Sequence, residues 1–157
     1  MSTDQPEALH YERARFVTRL PGDYLYSPAH LWIARQRGNT WRAGLTTFAT
    51  RRLGEIVEHG FTFALRAPVS AGQIIGWVEG FKAISDILCL VEGRFAGANP
   101  ALKERISLIN KDPYGAGWLY AVKGKPGAEC VEARAYAKLL DRSIDECLKQ
   151  QRAAHGS

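Results

Sequence analysis

Cysteine is scarce in this sequence, and the few residues present do not form a pattern. Cys89, Cys130 and Cys147 are an odd number at wide, unrelated spacings, which excludes a disulfide framework and leaves no CxxC pair for zinc. They read as reduced thiols. Cys89, inside the apolar run Ile87 to Val91, suits a buried small hydrophobe, whereas Cys147 lies near the chain end on an expected helix, where partial exposure is open to it. Long apolar runs are missing as well. No stretch approaches the roughly 20 apolar residues that a membrane-spanning helix requires. Met1 to Pro21 mix Asp4, Glu7 and Glu12 with Arg13, Arg15 and Arg19 instead of forming a signal-type apolar segment. A soluble cytoplasmic protein with no membrane partner is expected. The chain also has no G-x-x-x-x-G-K-S/T loop, no H-E-x-x-H and no nucleophile elbow, so neither catalytic residues nor a metal site are expected and the chain is not read as an enzyme.

What is present is enough for one core: 157 residues, 46% hydrophobic and 24% charged. Residues 1–22 are polar and turn-rich and read as an N-terminal extension with one helical turn around Tyr11 to Val17, ahead of a single domain over 23–157. A formal net charge of +5 is compatible with an acidic partner, with nucleic acid or with solubility alone. Arg35, Arg37, Arg42, Arg51 and Arg52 fall in one stretch without Asp or Glu. That stretch is a candidate docking surface, and equally a solvated hairpin followed by the outer face of a helix.

Alternation of Trp32 and Ala34, a turn at Arg37-Gly38-Asn39, and resumed alternation at Trp41 and Ala43 predict a hairpin over 31–45. Thr46 then offers an N-cap and Gly54 a C-terminal stop for a short helix. Strands follow over Glu55 to Leu65 and Gln73 to Val78, and Lys82 falls at a hairpin tip before a strand starting near Ser85. Asn99-Pro100 predicts a short helix running on through Leu102, Ile106 and Ile109, and Asp112 to Gly115 a turn before a strand at Trp118 to Val122. From Glu129 the period lengthens: Tyr136, Leu140, Ile144 and Leu148 recur every fourth residue, predicting an amphipathic helix over about 129–152 that covers one side of the sheet. The expected class is mainly β with small helices, a sandwich or barrel of antiparallel strands.

The stretch Val78-Glu79-Gly80-Phe81-Lys82-Ala83-Ile84-Ser85-Asp86 resembles the lipoylation hairpin of the glycine cleavage system H-protein family, in which a turn lysine after a V-E pair and before A-x-S-D receives lipoate. Further blocks match in order: Tyr26 to Trp32, Ala43 to Ala49, Leu53 to Val57, Asn99 to Leu102 and Asn110 to Leu119. The resemblance implies a flattened antiparallel sandwich of the lipoyl/biotinyl-carrier type, lipoate bound by an amide to Lys82, hairpin recognition through Glu79, Ser85 and Asp86, and His30 as a candidate for contact with the arm. The bare residues read more plainly: a solvated turn lysine, Ser85 and Asp86 satisfying turn amides, and His30 as a packed structural histidine. A swinging arm does need an exposed amine on a rigid turn, and a lysine with a lipoyl chain reaches on the order of 10 to 15 Å.

The departures also carry information. Glu79-Gly80-Phe81-Lys82-Ala83 stands where the family commonly has E-S-V-K-A, and the net positive charge contrasts with a usually acidic family. In its E-G-F-K-A-I-S-D hairpin the chain resembles H-like lipoate-binding proteins of cytoplasmic sulfur oxidation. The expected function is therefore a lipoyl carrier shuttling sulfur intermediates, with a lipoate-protein ligase and a heterodisulfide-reductase-like complex as partners. The alternative is an H protein carrying the aminomethyl group among glycine cleavage enzymes, with dihydrolipoamide dehydrogenase as a further partner. Biotin is disfavoured, since Phe81 and Ala83 occupy the places where methionines would flank its lysine. An unlipoylated interaction scaffold and a basic β-domain binding nucleic acid through Trp32 and Trp41 are the remaining readings; nucleic acid is not the expected partner, and a monomer is.

Overall fold

The computed structural model describes residues 7–155, so the first six residues of the expected extension lie outside the described part. The chain opens with β1 (Leu9–Arg13) and β2 (Phe16–Leu20), an antiparallel pair in register from Leu9↔Leu20 to Arg13↔Phe16. The helical turn expected around Tyr11 to Val17 is therefore a hairpin. The residues there follow period two: Phe16, Thr18 and Leu20 are buried while Val17 and Arg19 face solvent, and Ala14 takes a left-handed φ of 56° at the turn.

The next elements are β3 (Leu25–Tyr26), β4 (Leu31–Arg35), β5 (Thr40–Leu45) and α1 (Thr47–Leu53). The β4–β5 hairpin forms as expected, closed by Thr40 N–H donating to Arg37 O at 2.9 Å, but β4 does not alternate between buried and exposed, because Leu31 and Ile33 enter one apolar cluster and Trp32 and Ala34 the other. Thr46 caps α1, its hydroxyl accepting from Ala49 N–H at 3.3 Å, and Gly54 ends it at a φ of 78°. Then come β6 (Ile56–Phe61), β7 (Pro68–Val69), β8 (Ile74–Gly80), β9 (Ile84–Leu88) and β10 (Val91–Ala98). Asn99 caps Ala101 N–H at 3.0 Å as expected, but the single helix predicted after it divides into a 3-10 turn over Pro100–Lys103 and a short α2 (Leu108–Lys111). The chain ends with β11 (Tyr120–Pro126) and α3 (Ala133–His155). The helix begins later than residue 129 because Val131 is held in extended form by paired backbone bonds with Tyr26, both of 2.7 Å.

These strands make a six-stranded sheet ordered β3-β4-β5-β11-β10-β7 and a three-stranded sheet ordered β6-β8-β9, both antiparallel. The two face each other as a sandwich. Ile33, Ala43, Phe95, Tyr120 and Val122 from the larger sheet and Ile56, Ile75, Val78 and Ile87 from the smaller share one core. A second apolar cluster lies on the other side of the larger sheet, where Trp32 and Ala34 meet α3 through Tyr136, Leu140 and Ile144, and meet the β1–β2 hairpin through Tyr11, Phe16 and Leu20. The four-residue period of the C-terminal segment thus buries the stripe it predicted. No described helix is long and apolar enough to cross a membrane.

Candidate functional site

The β8–β9 turn places Lys82, with Phe81 and Ala83, beyond the edge of the three-stranded sheet, and Lys82 is exposed. Backbone bonds hold this turn from two directions. Within it, Gly80 N–H donates to Ala83 O at 2.9 Å; across it, Phe81 N–H donates to Glu55 O at 3.0 Å and Lys82 N–H to Leu53 O at 2.9 Å. The hairpin therefore leans on the last residue of α1 and the loop after it. Gly80 makes that contact sterically feasible, because a Cβ there would come within 2.1 Å of Leu53 O. In this chain the hairpin thus closes on the end of α1 with no side chain of residue 80 between them.

Two clefts flank the turn. One, of about 340 Å³, has Ala83, Ser85 and Asp86 on one wall and His30, Leu31 and Arg52 on the other. The second, of about 370 Å³, lies between α1 and α2 and is bordered by Lys82, Arg51, Asn110 and Lys111. The outer face of the three-stranded sheet adds a distinct chemistry. Glu79 stands opposite Glu58 and Ile84, and Trp77 opposite Gly60 and Asp86. Phe81 is 75% and Ile84 65% exposed. No lysine or arginine occurs in β6, β8 or β9, so Lys82 stands between an acidic and apolar sheet face on one side and the basic Arg51 and Lys111 of the second cleft on the other.

The residues singled out in the sequence divide accordingly. Glu79, Lys82, Ser85 and Asp86 share the β8–β9 hairpin. Ser85 does not satisfy a turn amide; its hydroxyl donates to Asp86 O at 3.1 Å. His30 is buried in the wall of the first cleft with a left-handed φ of 66°. Its Nδ1 hydrogen-bonds with the Tyr136 hydroxyl at 2.8 Å and its Nε2 with the Ser143 hydroxyl at 3.2 Å, both on α3. Burial, reinforced by the charge of Arg52, lowers its pKa to about 4, so the ring is neutral near pH 7. Both ring nitrogens are thus engaged by α3, and the ring meets the hairpin only across the cleft.

The arginine stretch is divided between the β4–β5 hairpin and α1. Arg35 flanks the β4–β5 turn, Arg37 lies within it, Arg42 stacks 4.4 Å over the Trp118 ring, and Arg51 and Arg52 lie on α1 over Phe16 and Phe48. This is the solvated hairpin and helix face of the plainer reading. Asn110 carries a feature that the sequence did not signal: its side-chain amide donates to Gly54 O at 3.1 Å while its Oδ1 accepts from Ile56 N–H at 2.9 Å. It falls inside a block of family resemblance, but nothing in the local pattern shows which backbone it meets. Cys89 is buried, its thiol pKa raised by that burial, and burial likewise lifts Cys130 to about 11. Among the described residues no group of His, Cys, Asp and Glu could hold a metal ion.

Known proteins with this arrangement agree with one another. The family model for glycine cleavage H-protein matches residues 24–143. The glycine cleavage system H protein of Corynebacterium jeikeium is 43% identical over 123 residues, covering 76% of this chain and 96% of the relative. That of Kocuria rhizophila is 33% identical over 134 residues, covering 80% and 100%. The crystal structure of a glycine cleavage system H protein from Mycobacterium marinum superposes with a TM-score of 0.68 at 35% identity, over 76% of this chain and 97% of that one. On this match the chain belongs to the glycine cleavage H-protein family, whose members are non-catalytic carriers with lipoate bound covalently to a lysine.

Proposed function

We propose that Lys82 is the attachment site, and that the chain serves the glycine cleavage system as the carrier of its aminomethyl group. The observation that carries this reading is the combination at the β8–β9 turn of an exposed amine with a backbone fixed by two hydrogen bonds, one to the last residue of α1 and one to the loop after it. A lipoate-protein ligase must present an activated acyl group to one amine among many. A lysine on a mobile loop would spread its amine over many positions, whereas one rooted here keeps its Cα in place and leaves only its own stem to move. Among the described residues Lys82 enters no ion pair, so no carboxylate has to be displaced before acylation.

Glu79, Ser85 and Asp86 lie within a few residues of that amine and give the modifying enzyme a surface to read. When bound, the lipoyl group would supply a disulfide whose opening accepts the electron pair left by loss of CO2 from glycine, one sulfur bonding the one-carbon unit and the other taking a proton. The chain's own residues contribute a fixed root, and a cleft beginning at Ala83 that is lined by neutral His30 and by Leu31. The glycine cleavage enzymes and dihydrolipoamide dehydrogenase are the corresponding partners, and the cytoplasm is their shared compartment.

A second reading, a carrier of sulfur intermediates for a heterodisulfide-reductase-like complex, is favoured by one observation. Arg52 lines the cleft beside the hairpin in a chain of net charge +5, which suits an anionic cargo better than an aminomethyl cation. One reconstitution tests both. The protein is lipoylated with a ligase, its mass is checked, and it is supplied to glycine decarboxylase and, separately, to the reductase-like complex. Exchange of the glycine carboxyl carbon supports the glycine reading; turnover only with the second complex replaces it; absence of any lipoyl mass removes both and leaves an unmodified scaffold.

A further inference from the structure

We propose that Asn110 is a positioning residue for lipoate attachment, holding the root of Lys82 through the backbone that follows α1. The inference rests on Lys82 as the attachment site and extends it. The segment from Leu53 to Ile56 runs between the hairpin and α2. Its carbonyls at Leu53 and Glu55 accept from Lys82 and Phe81. The groups directed away from the hairpin, Gly54 O and Ile56 N–H, are both taken by the one side-chain amide of Asn110. A carboxamide can do this because it carries a donor and an acceptor side by side, as a neighbouring strand's peptide group would.

Asn110 thus pairs with the segment on one side and the hairpin pairs with it on the other. The segment itself is the weak point of the arrangement. Gly54 has a left-handed φ of 78°, and β6 carries a bulge between Ile56 and Glu58, so regular pairing does not begin until after it. Gly54 also lies against the arm: a Cβ there would come within 3.0 Å of Lys82 Cγ. Movement of this backbone is movement of the lysine stem. Asn110 is itself well anchored, since the adjacent Ile109 is fully buried and Asn110 N–H donates to Ser107 O at 3.1 Å.

The test uses the full chain with two substitutions. Asn110→Ala removes both bonds, and Asn110→Asp keeps the acceptor for Ile56 but loses the donor to Gly54. Two quantities are read: kcat and KM for the carrier in lipoate transfer by a lipoate ligase with lipoate and ATP, and hydrogen exchange at the Phe81 and Lys82 amides. A misplaced acceptor slows the chemical step more than recognition, so Asn110→Ala is expected to lower kcat about tenfold with KM within about twofold. The Phe81 and Lys82 amides should exchange about tenfold faster while Tyr120 and Val122 keep their protection. Asn110→Asp should fall between. A merely structural role would instead speed exchange throughout and leave kcat per folded molecule unchanged, and that result overturns the proposal, as does an unaltered kcat with unaltered exchange. If Asn110→Ala does not fold, Asn110→Asp carries the test with the same two readouts, since it keeps the acceptor for Ile56 N–H and loses only the donor to Gly54 O; it must then lower kcat and speed exchange at Phe81 and Lys82. Should the unsubstituted protein acquire no lipoyl group, Lys82 as the attachment site fails; the exchange measurement then decides alone whether Asn110 fixes the hairpin.

Discussion

Two hairpins of this molecule lean on helices, and they do so by different means. The tip of β8–β9 is hydrogen-bonded through backbone groups to the end of α1 and the loop after it: Lys82 donates to Leu53 and Phe81 to Glu55. β1–β2 meets α3 through side chains: the Tyr11 hydroxyl donates to Asp141 at 2.7 Å, and the Arg13 guanidinium makes two 3.0 Å bonds to Asp145. Backbone bonds do not depend on side-chain rotamers and are retained when an outer residue changes. Side-chain bonds disappear with the residue that makes them. A turn that must be recognised by another enzyme benefits from the first arrangement, whereas a hairpin that covers a core is served by the second together with apolar burial.

The largest effect that would sharpen this comparison concerns Lys82. Lys82→Arg is expected to abolish lipoyl attachment completely while leaving the unfolding midpoint unchanged. The guanidinium cannot form the amide, and the turn is held by backbone that the substitution does not touch. Intact mass after co-expression with a ligase reads the first part and thermal unfolding the second. A lipoyl increment on the substituted protein would place the site at another lysine.

The N-terminal hairpin should show the reverse pattern. Phe16 is 9% exposed and meets the Phe48 ring edge-on at 5.7 Å, so Phe16→Ala is expected to cost about 3 kcal/mol in urea unfolding. Lipoylation of the folded fraction should continue at the original rate. A matching loss of modification rate would join the two hairpins energetically and end the distinction drawn between them.

His30 lies where the two regions meet, its ring 4.6 Å from Phe48 on α1 and hydrogen-bonded to Tyr136 and Ser143 on α3. Burial holds its pKa at about 4 against a usual 6.5. The unfolded chain takes up this proton near pH 6.5 and the folded chain only near pH 4, so the unfolded state binds more protons across that window. Stability from this group is complete above about pH 6.5 and declines as pH falls towards 4, by roughly 2 to 3 kcal/mol. The difference between the pH profiles of the unsubstituted protein and His30→Gln isolates it. A difference that stays flat between pH 7 and pH 4 would show that the ring is charged in the fold or reaches water.

What was legible in the sequence follows the same division. The β4–β5 hairpin, the Thr46 and Gly54 ends of α1, the turn at Lys82 and the stripe of α3 each rest on signals within a few residues, and all were readable. The N-terminal hairpin was not: Tyr11 and Arg13 find partners about 130 residues away, and the polar, turn-rich composition there concealed a period of two. Asn110 and Gly80 were in view within the family blocks, but a side-chain amide bridging Gly54 and Ile56, or a glycine closing on Leu53 O, is settled only when the chain has folded. His30 was found as a residue and not as an arrangement, because Tyr136 and Ser143 stand 106 and 113 positions later.

The smallest expected effect tests whether side-chain anchoring of the first hairpin is additive to its apolar burial. Tyr11→Phe keeps the ring in contact with Phe16 and removes only the hydroxyl that donates to Asp141. The bond is short and its donor side chain buried, yet Asp141 retains Arg13 within 3.6 Å and access to water, so the carboxylate is not stranded. The loss should be about 1 kcal/mol, a shift of roughly 3 °C in the unfolding midpoint. If the shift instead approaches that of Phe16→Ala, the Tyr11–Asp141 bond sets the docking angle of the whole hairpin rather than adding to it. The two hairpins would then be alike in one respect, each depending on a single hydrogen-bonding group: a side-chain amide for the one that carries the lysine and a phenol for the one that covers the core.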